Sequence, residues 1–217
     1  MNKSYVLRAG RFTAAQKRAY ACGEKFIVPF CDAHINPGEI FGVTKPITVE
    51  VGFGAGLATA IIAEATPGKN YLGVEVHRPG IGRLLWEIEK RNLSNIRIIE
   101  HDAVEVIEKM IADMSLEAIH IFFPDPWPKK RHNKRRLVQR PFTETLAGKL
   151  VSGGYLYMVT DWEDYANYAL AELEATATLR NAYGGFAEPQ PWRPQTRFEQ
   201  KGIAKNHAIW ELFFVRE

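Results

Sequence analysis

Asp125 stands between two prolines in Pro124-Asp125-Pro126-Trp127-Pro128, and six of the eight residues from Lys129 to Arg136 are lysine or arginine. A carboxylate, an indole and a cationic run so close together suit a site that grips a nucleobase while holding its phosphate backbone. The preceding run, Ala118-Ile119-His120-Ile121-Phe122-Phe123, reads as a buried strand. Three prolines cannot continue a ladder, because each lacks an N–H and fixes its φ. The strand therefore opens abruptly into a rigid loop, with Asp125 at the opening. Trp127 is either a stacking platform for a base or a hydrophobic plug over the end of the sheet. A cationic run by itself is most often a solvated face; its place beside Asp125 favours contact with phosphates.

A second constellation is the turn Glu50-Val51-Gly52-Phe53-Gly54-Ala55-Gly56. Glycines let a backbone bend tightly and approach a ligand closely, and in open α/β sheets ligands bind at the carboxyl ends of strands. A dinucleotide fingerprint needs a glycine or alanine at the sixth position. Counting from Gly52 that position is Leu57, and from Gly54 it is Thr59, so both frames fail and NAD is disfavoured. Glu75 lies about twenty residues past the glycines, where a carboxylate can accept from both ribose hydroxyls. Asp102 ends a third strand, facing an adenine edge or capping the helix that begins at Ala103. Glu50 holds the loop or a cationic amino-acid group. A glycine turn with acids ending three successive strands is the pattern of S-adenosylmethionine-dependent methyltransferases, although a lone glycine cluster is often only a tight turn.

Strands are expected at Ile47–Val51, Tyr71–Val76, Ile96–Glu100, Ala118–Phe123 and Tyr155–Thr160. Helices are expected at Leu57–Ala65, Ile81–Arg91 beyond Pro79-Gly80, Ala103–Ala112, Leu137–Leu150 (ended by Ser152-Gly153-Gly154) and Trp162–Ala175. Such alternation implies right-handed crossovers and a mostly parallel sheet with helices on both faces, an α/β Rossmann-like fold. Ala208–Val215 has no helix after it and is expected to join as a late antiparallel strand. Residues 1–45 read as an N-terminal extension with one short helix near Ala14–Cys22, and 46–217 as a single domain.

The length of 217 residues suits an ordinary α/β chain, 46% apolar content supports a sizeable core, and 24% charge excludes disorder. The net charge of +3 says little except where it is concentrated, at 129–136. No apolar stretch approaches the roughly 18 residues of a membrane span, and Met1–Tyr5 lacks a signal-peptide core, which points to the cytoplasm. Cys22 and Cys31 match no zinc or redox spacing and read as reduced thiols. The histidines have no metal spacing, so no metal is expected; His132 belongs to the basic arm.

The chain resembles the bacterial tRNA (guanine-N7)-methyltransferases, the TrmB family, from near Arg8 to the C-terminus. The most specific piece is Pro124-Asp125-Pro126-Trp127-Pro128-Lys129-Lys130-Arg131-His132. Glu50-Val51-Gly52-Phe53-Gly54, Gly73-Val74-Glu75, Thr160-Asp161, Thr196-Arg197-Phe198-Glu199-Gln200-Lys201-Gly202, and Leu7-Arg8-Ala9-Gly10-Arg11 followed by Gln16 support it. The resemblance implies a methyltransferase fold, S-adenosylmethionine as cofactor, and methylation of N7 of the guanine at tRNA position 46. Carried over by residue, it places Glu50, Gly52, Gly54, Glu75, Asp102 and Asp125 on the cofactor side and makes Asp125 also the catalytic residue. It brings Lys129, Asp161, Thr196, Arg197, Phe198 and Glu199 to the substrate guanine, and Arg131, His132, Asn133, Lys134, Arg135 and Arg136 to RNA. The implied partner is tRNA, bound by a monomer or homodimer, with residues 1–45 also touching RNA.

The chemistry agrees. Guanine N7 carries a lone pair and no proton at neutral pH, so alignment rather than proton removal is the main demand. Alkylation leaves positive charge on the purine, which a preorganised carboxylate, Asp125 or Asp161, stabilises. Bland readings stand beside these: Asp161 suits an N-cap, and Thr196-x-x-Glu199 has capping-box spacing, although Lys201-Gly202 soon interrupts a helix. Three other functions compete. A non-catalytic RNA binder would lose the cofactor acids. An amino-group nucleic-acid methyltransferase would carry a second proline before the aromatic residue. A small-molecule methyltransferase has no use for the basic arm.

Overall fold

The computed structural model describes Tyr5, residues 12–204 and residues 207–217, with only the backbone for Arg197, Phe198 and Lys201. The Leu7–Arg11 part of the resemblance lies outside the described residues. The chain forms two compact units, Leu7–Ala112 and Asp113–Glu217, the second joined by Tyr5.

In the first unit, β1 (Ile47–Val51), β2 (Asn70–Val74) and β3 (Ile96–Ile99) run parallel in the order β3-β2-β1. β1 and β2 are buried along their whole length, as a strand covered on both faces must be. The helices are α3 (Leu57–Ala65), α4 (Arg78–Arg91) and α5 (Ala103–Lys109). α4 begins before Pro79, not beyond it. Proline suits a first turn, where its missing N–H has no partner to lose. β2 stops short of Val76 because the N–H groups of Val76 and His77 turn to the Glu75 carboxylate.

Residues 12–45 pack within this unit. α1 (Ala14–Cys22) carries a capping box between Thr13 and Gln16 and lies across α4 at Gly82. A Cβ there would come within 2.7 Å of the Phe12 ring. Val28 N–H donates to Ile98 C=O at 2.8 Å, so this segment also shields the β3 edge. A short helix, α2 (Pro37–Phe41), starts at the Asn36 cap.

In the second unit, β4 (Leu116–Phe122), β5 (Leu150–Thr160), β6 (Leu179–Asn181) and β7 (Trp210–Arg216) lie in the order β4-β5-β7-β6. β4 and β5 are parallel, and β7 is antiparallel to both its neighbours, as expected for the last strand. The helices are α6 (Phe142–Lys149), α7 (Glu163–Glu174) and α8 (Arg197–Ile203). α6 is shorter than Leu137–Leu150, because Leu137 and Val138 are buried in a turn whose Val138 N–H donates to Tyr165 Oη at 3.0 Å. Nor does Ser152-Gly153-Gly154 end a helix. β5 starts at Leu150, and pairing jumps from Leu116 opposite Leu150 to Ala118 opposite Tyr155. The glycines form a bulge inside the strand. Among the described residues no helix is long and apolar enough to cross a membrane.

Candidate functional site

The donor end is built at the carboxyl ends of β1–β3. Gly52, Gly54 and Gly56 all have φ between +57° and +71°, a region that costs other residues roughly 1–2 kcal/mol each. A Cβ on Gly52 or Gly54 would meet only open space, so the turn presents a bare backbone to a ligand. Gly80 of α4 packs from behind, where a Cβ would lie 2.0 Å from Gly54 C=O.

Three acids surround the turn. Glu75 accepts from Gly54 N–H at 2.9 Å through one oxygen, and from Val76 and His77 N–H at 2.7 and 3.0 Å through the other. A carboxylate has about four lone-pair positions, so one remains. Glu75 can accept from one ribose hydroxyl while holding the turn, rather than from both. Glu50 is buried, 3% exposed, and accepts from Thr59 Oγ at 2.7 Å. Burial pushes its carboxyl up to about 7; the Thr59 bond opposes this and the Glu75 charge adds to it. Asp102 caps α5, accepting from Val104 N–H at 2.8 Å through one oxygen, which leaves the other for a ligand. An open glycine cradle, a partly free carboxylate one strand away and a third acid fit S-adenosylmethionine. Thr59 is a partner the sequence reading does not name; its signal is a buried polar residue on the largely apolar helix Leu57–Ala65, whose other polar residue, Glu64, is exposed.

In the second unit the Pro124–Pro128 loop follows β4. Phe123 and Trp127 have φ of +52° and +48°, so two bulky residues in the left-handed region enclose Asp125. Each costs on the order of 1–3 kcal/mol and persists only where surrounding structure fixes it. Asp125 itself is exposed. Trp127 is 9% exposed, with the Arg135 guanidinium 3.8 Å from its ring centre and His132 edge-on at 6.0 Å. It is the plug, not an open platform.

The basic run splits into two faces. Lys129, Lys130, Arg131 and Lys134 are exposed, the last three on a short 3-10 helix, Lys130–Arg135. Three residues expected at RNA turn inward. Arg136 is 1% exposed, donates to Pro126 C=O at 3.0 Å and pairs with Asp164. Arg135 covers Trp127 and donates to Tyr5 C=O at 3.1 Å. Asn133, with its amide nitrogen facing two carbonyls, donates to Trp127 at 3.1 and Lys129 at 3.2 Å. Arg136 is therefore corrected to an internal brace: a buried, paired guanidinium is not available to a phosphate. His132 is held below its ordinary value by partial desolvation and then by Arg131, Lys129, Arg135 and Lys134.

Asp161 follows β5 and does not cap α7; its carboxylate lies 3.6 Å from His207 Nδ1. Thr196 and Glu199, by contrast, form a true capping box on α8, with bonds of 3.1 and 3.2 Å. Lys201-Gly202 lies inside this helix and does not interrupt it. Glu199 is 2% exposed, and both its oxygens accept from the buried Arg193 at 2.7 Å. Arg193 also donates to Glu211 at 2.7 Å and Tyr157 Oη at 3.1 Å. Glu199 is thus an internal partner, tied to Arg193 rather than turned outward. Arg193 had no sequence signal, being a lone arginine in an irregular segment. Among the described residues no group of three or more histidine, cysteine or acidic side chains is placed to hold a metal, and Cys22 and Cys31 are both exposed thiols.

Residues 44–212 match the family described as "Putative methyltransferase". The tRNA (guanine-N(7)-)-methyltransferase of Chromobacterium violaceum is 48% identical over 216 residues, covering 99% of this chain and 96% of that protein. The protein of the same name from Paraburkholderia xenovorans is 48% identical over 213 residues, covering 98% and 82%. In fold, the 16S rRNA methyltransferase KamB superposes with a TM-score of 0.58 at 11% identity, covering 97% of each chain. A glycine cradle ringed by acids, an exposed aspartate in a proline loop, and this degree of identity agree: the chain belongs to the tRNA (guanine-N7-)-methyltransferase family.

Proposed function

We propose that the chain methylates N7 of guanine 46 in the variable loop of tRNA, with Asp125 as the catalytic carboxylate. The observation that carries this assignment is Asp125, exposed between two left-handed residues and braced from within its own unit. When bound, S-adenosylmethionine supplies an electrophilic methyl group on a sulfonium. Gly52 and Gly54 leave the backbone bare for it, Glu75 accepts from a ribose hydroxyl, and Asp102 accepts at the adenine. Glu50 sits beneath the turn, where a cationic amino-acid group would draw off its proton. Guanine N7 is already a lone pair, so no residue needs to remove a proton from it. Asp125 lowers the barrier by stabilising the positive charge that spreads over the purine as N7 is alkylated. Asp161 accepts from the N1–H and N2–H₂ edge, which separates guanine from adenine. Lys129, Lys130, Arg131 and Lys134 meet phosphates. A monomer or homodimer acting on tRNA in the cytoplasm fits this reading.

The test is incubation with methyl-labelled S-adenosylmethionine and unmodified tRNA, followed by digestion to nucleosides. The expected label is in 7-methylguanosine. Label in a methylated amino group of adenosine or cytidine would replace this reading with an amino-group enzyme. tRNA binding without any label would leave an RNA-binding protein.

A further inference from the structure

We propose that Arg136 is a positioning residue for Asp125 and not a phosphate ligand; this rests on the reading of Asp125 as the catalytic carboxylate. Arg136 is the last cation of the basic run, yet it is 1% exposed. Its Nε donates to Pro126 C=O at 3.0 Å, and its terminal nitrogen pairs with Asp164 in the first turn of α7. The guanidinium lies 5.0 and 4.9 Å from the Tyr165 and Tyr168 ring centres.

Three prolines fix φ at 124, 126 and 128 but leave ψ free. The direction of Pro126 C=O reports ψ of Pro126, the torsion that sets the Pro126–Trp127 peptide relative to the proline ring and the Asp125–Pro126 peptide on its other side. A bond from a buried, ion-paired guanidinium fixes that torsion from outside the loop. It also anchors the loop beside Trp127, a residue in the left-handed region that needs surrounding structure to hold it. Asp164 cancels the charge of Arg136, so its field does not attract phosphate. A lysine ammonium lacks the planar fork that serves a carbonyl and a carboxylate together.

The experiment is single-turnover methylation of unmodified tRNA, at saturating tRNA and S-adenosylmethionine, by the wild type, Arg136→Gln, Arg136→Lys, Asp125→Asn and the Asp125→Asn/Arg136→Gln double variant. tRNA affinity is measured for each across a salt series. Arg136→Gln is expected to react about thirty- to a hundredfold slower, the scale of a misplaced catalytic group. Arg136→Lys should recover part of that loss. Both should keep wild-type tRNA affinity and salt slope. The double variant should react at the rate of Asp125→Asn, because a brace has no effect once the group it aims is gone. If Arg136→Gln does not fold, Asp164→Asn, which leaves the guanidinium in place, carries the same comparison with a smaller loss. A salt slope flattened by about one phosphate contact would overturn the proposal. So would an equal slowing by Arg136→Gln in both backgrounds, although Asp125 would then keep its role. Wild-type turnover by Asp125→Asn would instead remove the catalytic reading of Asp125, and this proposal with it.

Discussion

The Glu75 carboxylate receives the Gly54 N–H across twenty-one positions of sequence, at 2.9 Å. The acid ending β2 therefore holds the glycine turn after β1, and the ligand shares that acid with the protein's own backbone. Glu75→Ala should weaken S-adenosylmethionine binding about ten- to a hundredfold, since a hydrogen bond to a charged group contributes roughly 1.5–3 kcal/mol. It should also lower stability, because three backbone N–H groups lose their acceptor. Calorimetric titration and thermal melting of the same variant check both; full affinity with an unchanged melting temperature would remove Glu75 from the turn and from the cofactor.

Glu50 makes stability depend on pH in an unusual sense. Its folded value of about 7 lies above the ordinary 4.5. Below 4.5 both states hold the proton and nothing changes. Between 4.5 and 7 the native state keeps a proton that the unfolded state releases, so stability falls as pH rises. Above 7 the loss is complete, on the order of 3 kcal/mol at 1.36 kcal/mol per unit. Glu50→Gln should therefore be more stable than the wild type at pH 8 and equal to it at pH 4. Urea melts at the two values test this, and the same difference between variant and wild type at both would show that folding does not raise the Glu50 carboxyl.

Arg193 is bonded to two buried acids, Glu199 and Glu211. Arg193→Met should cost roughly 3–5 kcal/mol, the usual penalty for stranding buried charge. Adding Glu199→Gln and Glu211→Gln should restore part of it. Chemical denaturation of the single and triple variants measures this; a triple variant no more stable than the single one would locate the loss in packing.

Replacing Lys130, Arg131 and Lys134 together with glutamine should weaken tRNA binding and flatten its log–log salt slope by about two to three. Cofactor affinity should not change. Filter binding over a salt series reads the slope, and wild-type affinity at low salt would make this surface merely solvated.

Much of the scaffold was legible because it rests on local patterns. Ile47–Val51, Leu57–Ala65 and Ala14–Cys22 have the expected bounds, where apolar period and flanking signals agree. Errors arose where one residue type has two meanings. Pro79 opens α4 instead of preceding it, and Gly153-Gly154 bulges a strand instead of ending a helix. Composition in the basic run could not tell an outward Arg131 from an inward Arg136, because that depends on Pro126 and Asp164, distant in sequence. The resemblance implies a substrate role for Glu199, and nothing in the local pattern signals its pairing with Arg193 in an irregular segment. The acids at strand ends were legible, since topology alone delivers them to one edge.

The docking of α1 on α4 bears on the order in which the chain can fold as it is made. Cys22 ends α1, and α4 is complete only at Arg91. At roughly 5–20 residues per second of synthesis, the earlier helix waits on the order of 3–14 s for its partner. α1 spans nine residues, too few to hold a helix alone in water. α1, although made early, thus settles only once α4 has been made. A ribosome stalled before Arg91 would hold a nascent chain whose leading segment, Phe12 and Tyr20 included, is open to chaperones and proteases.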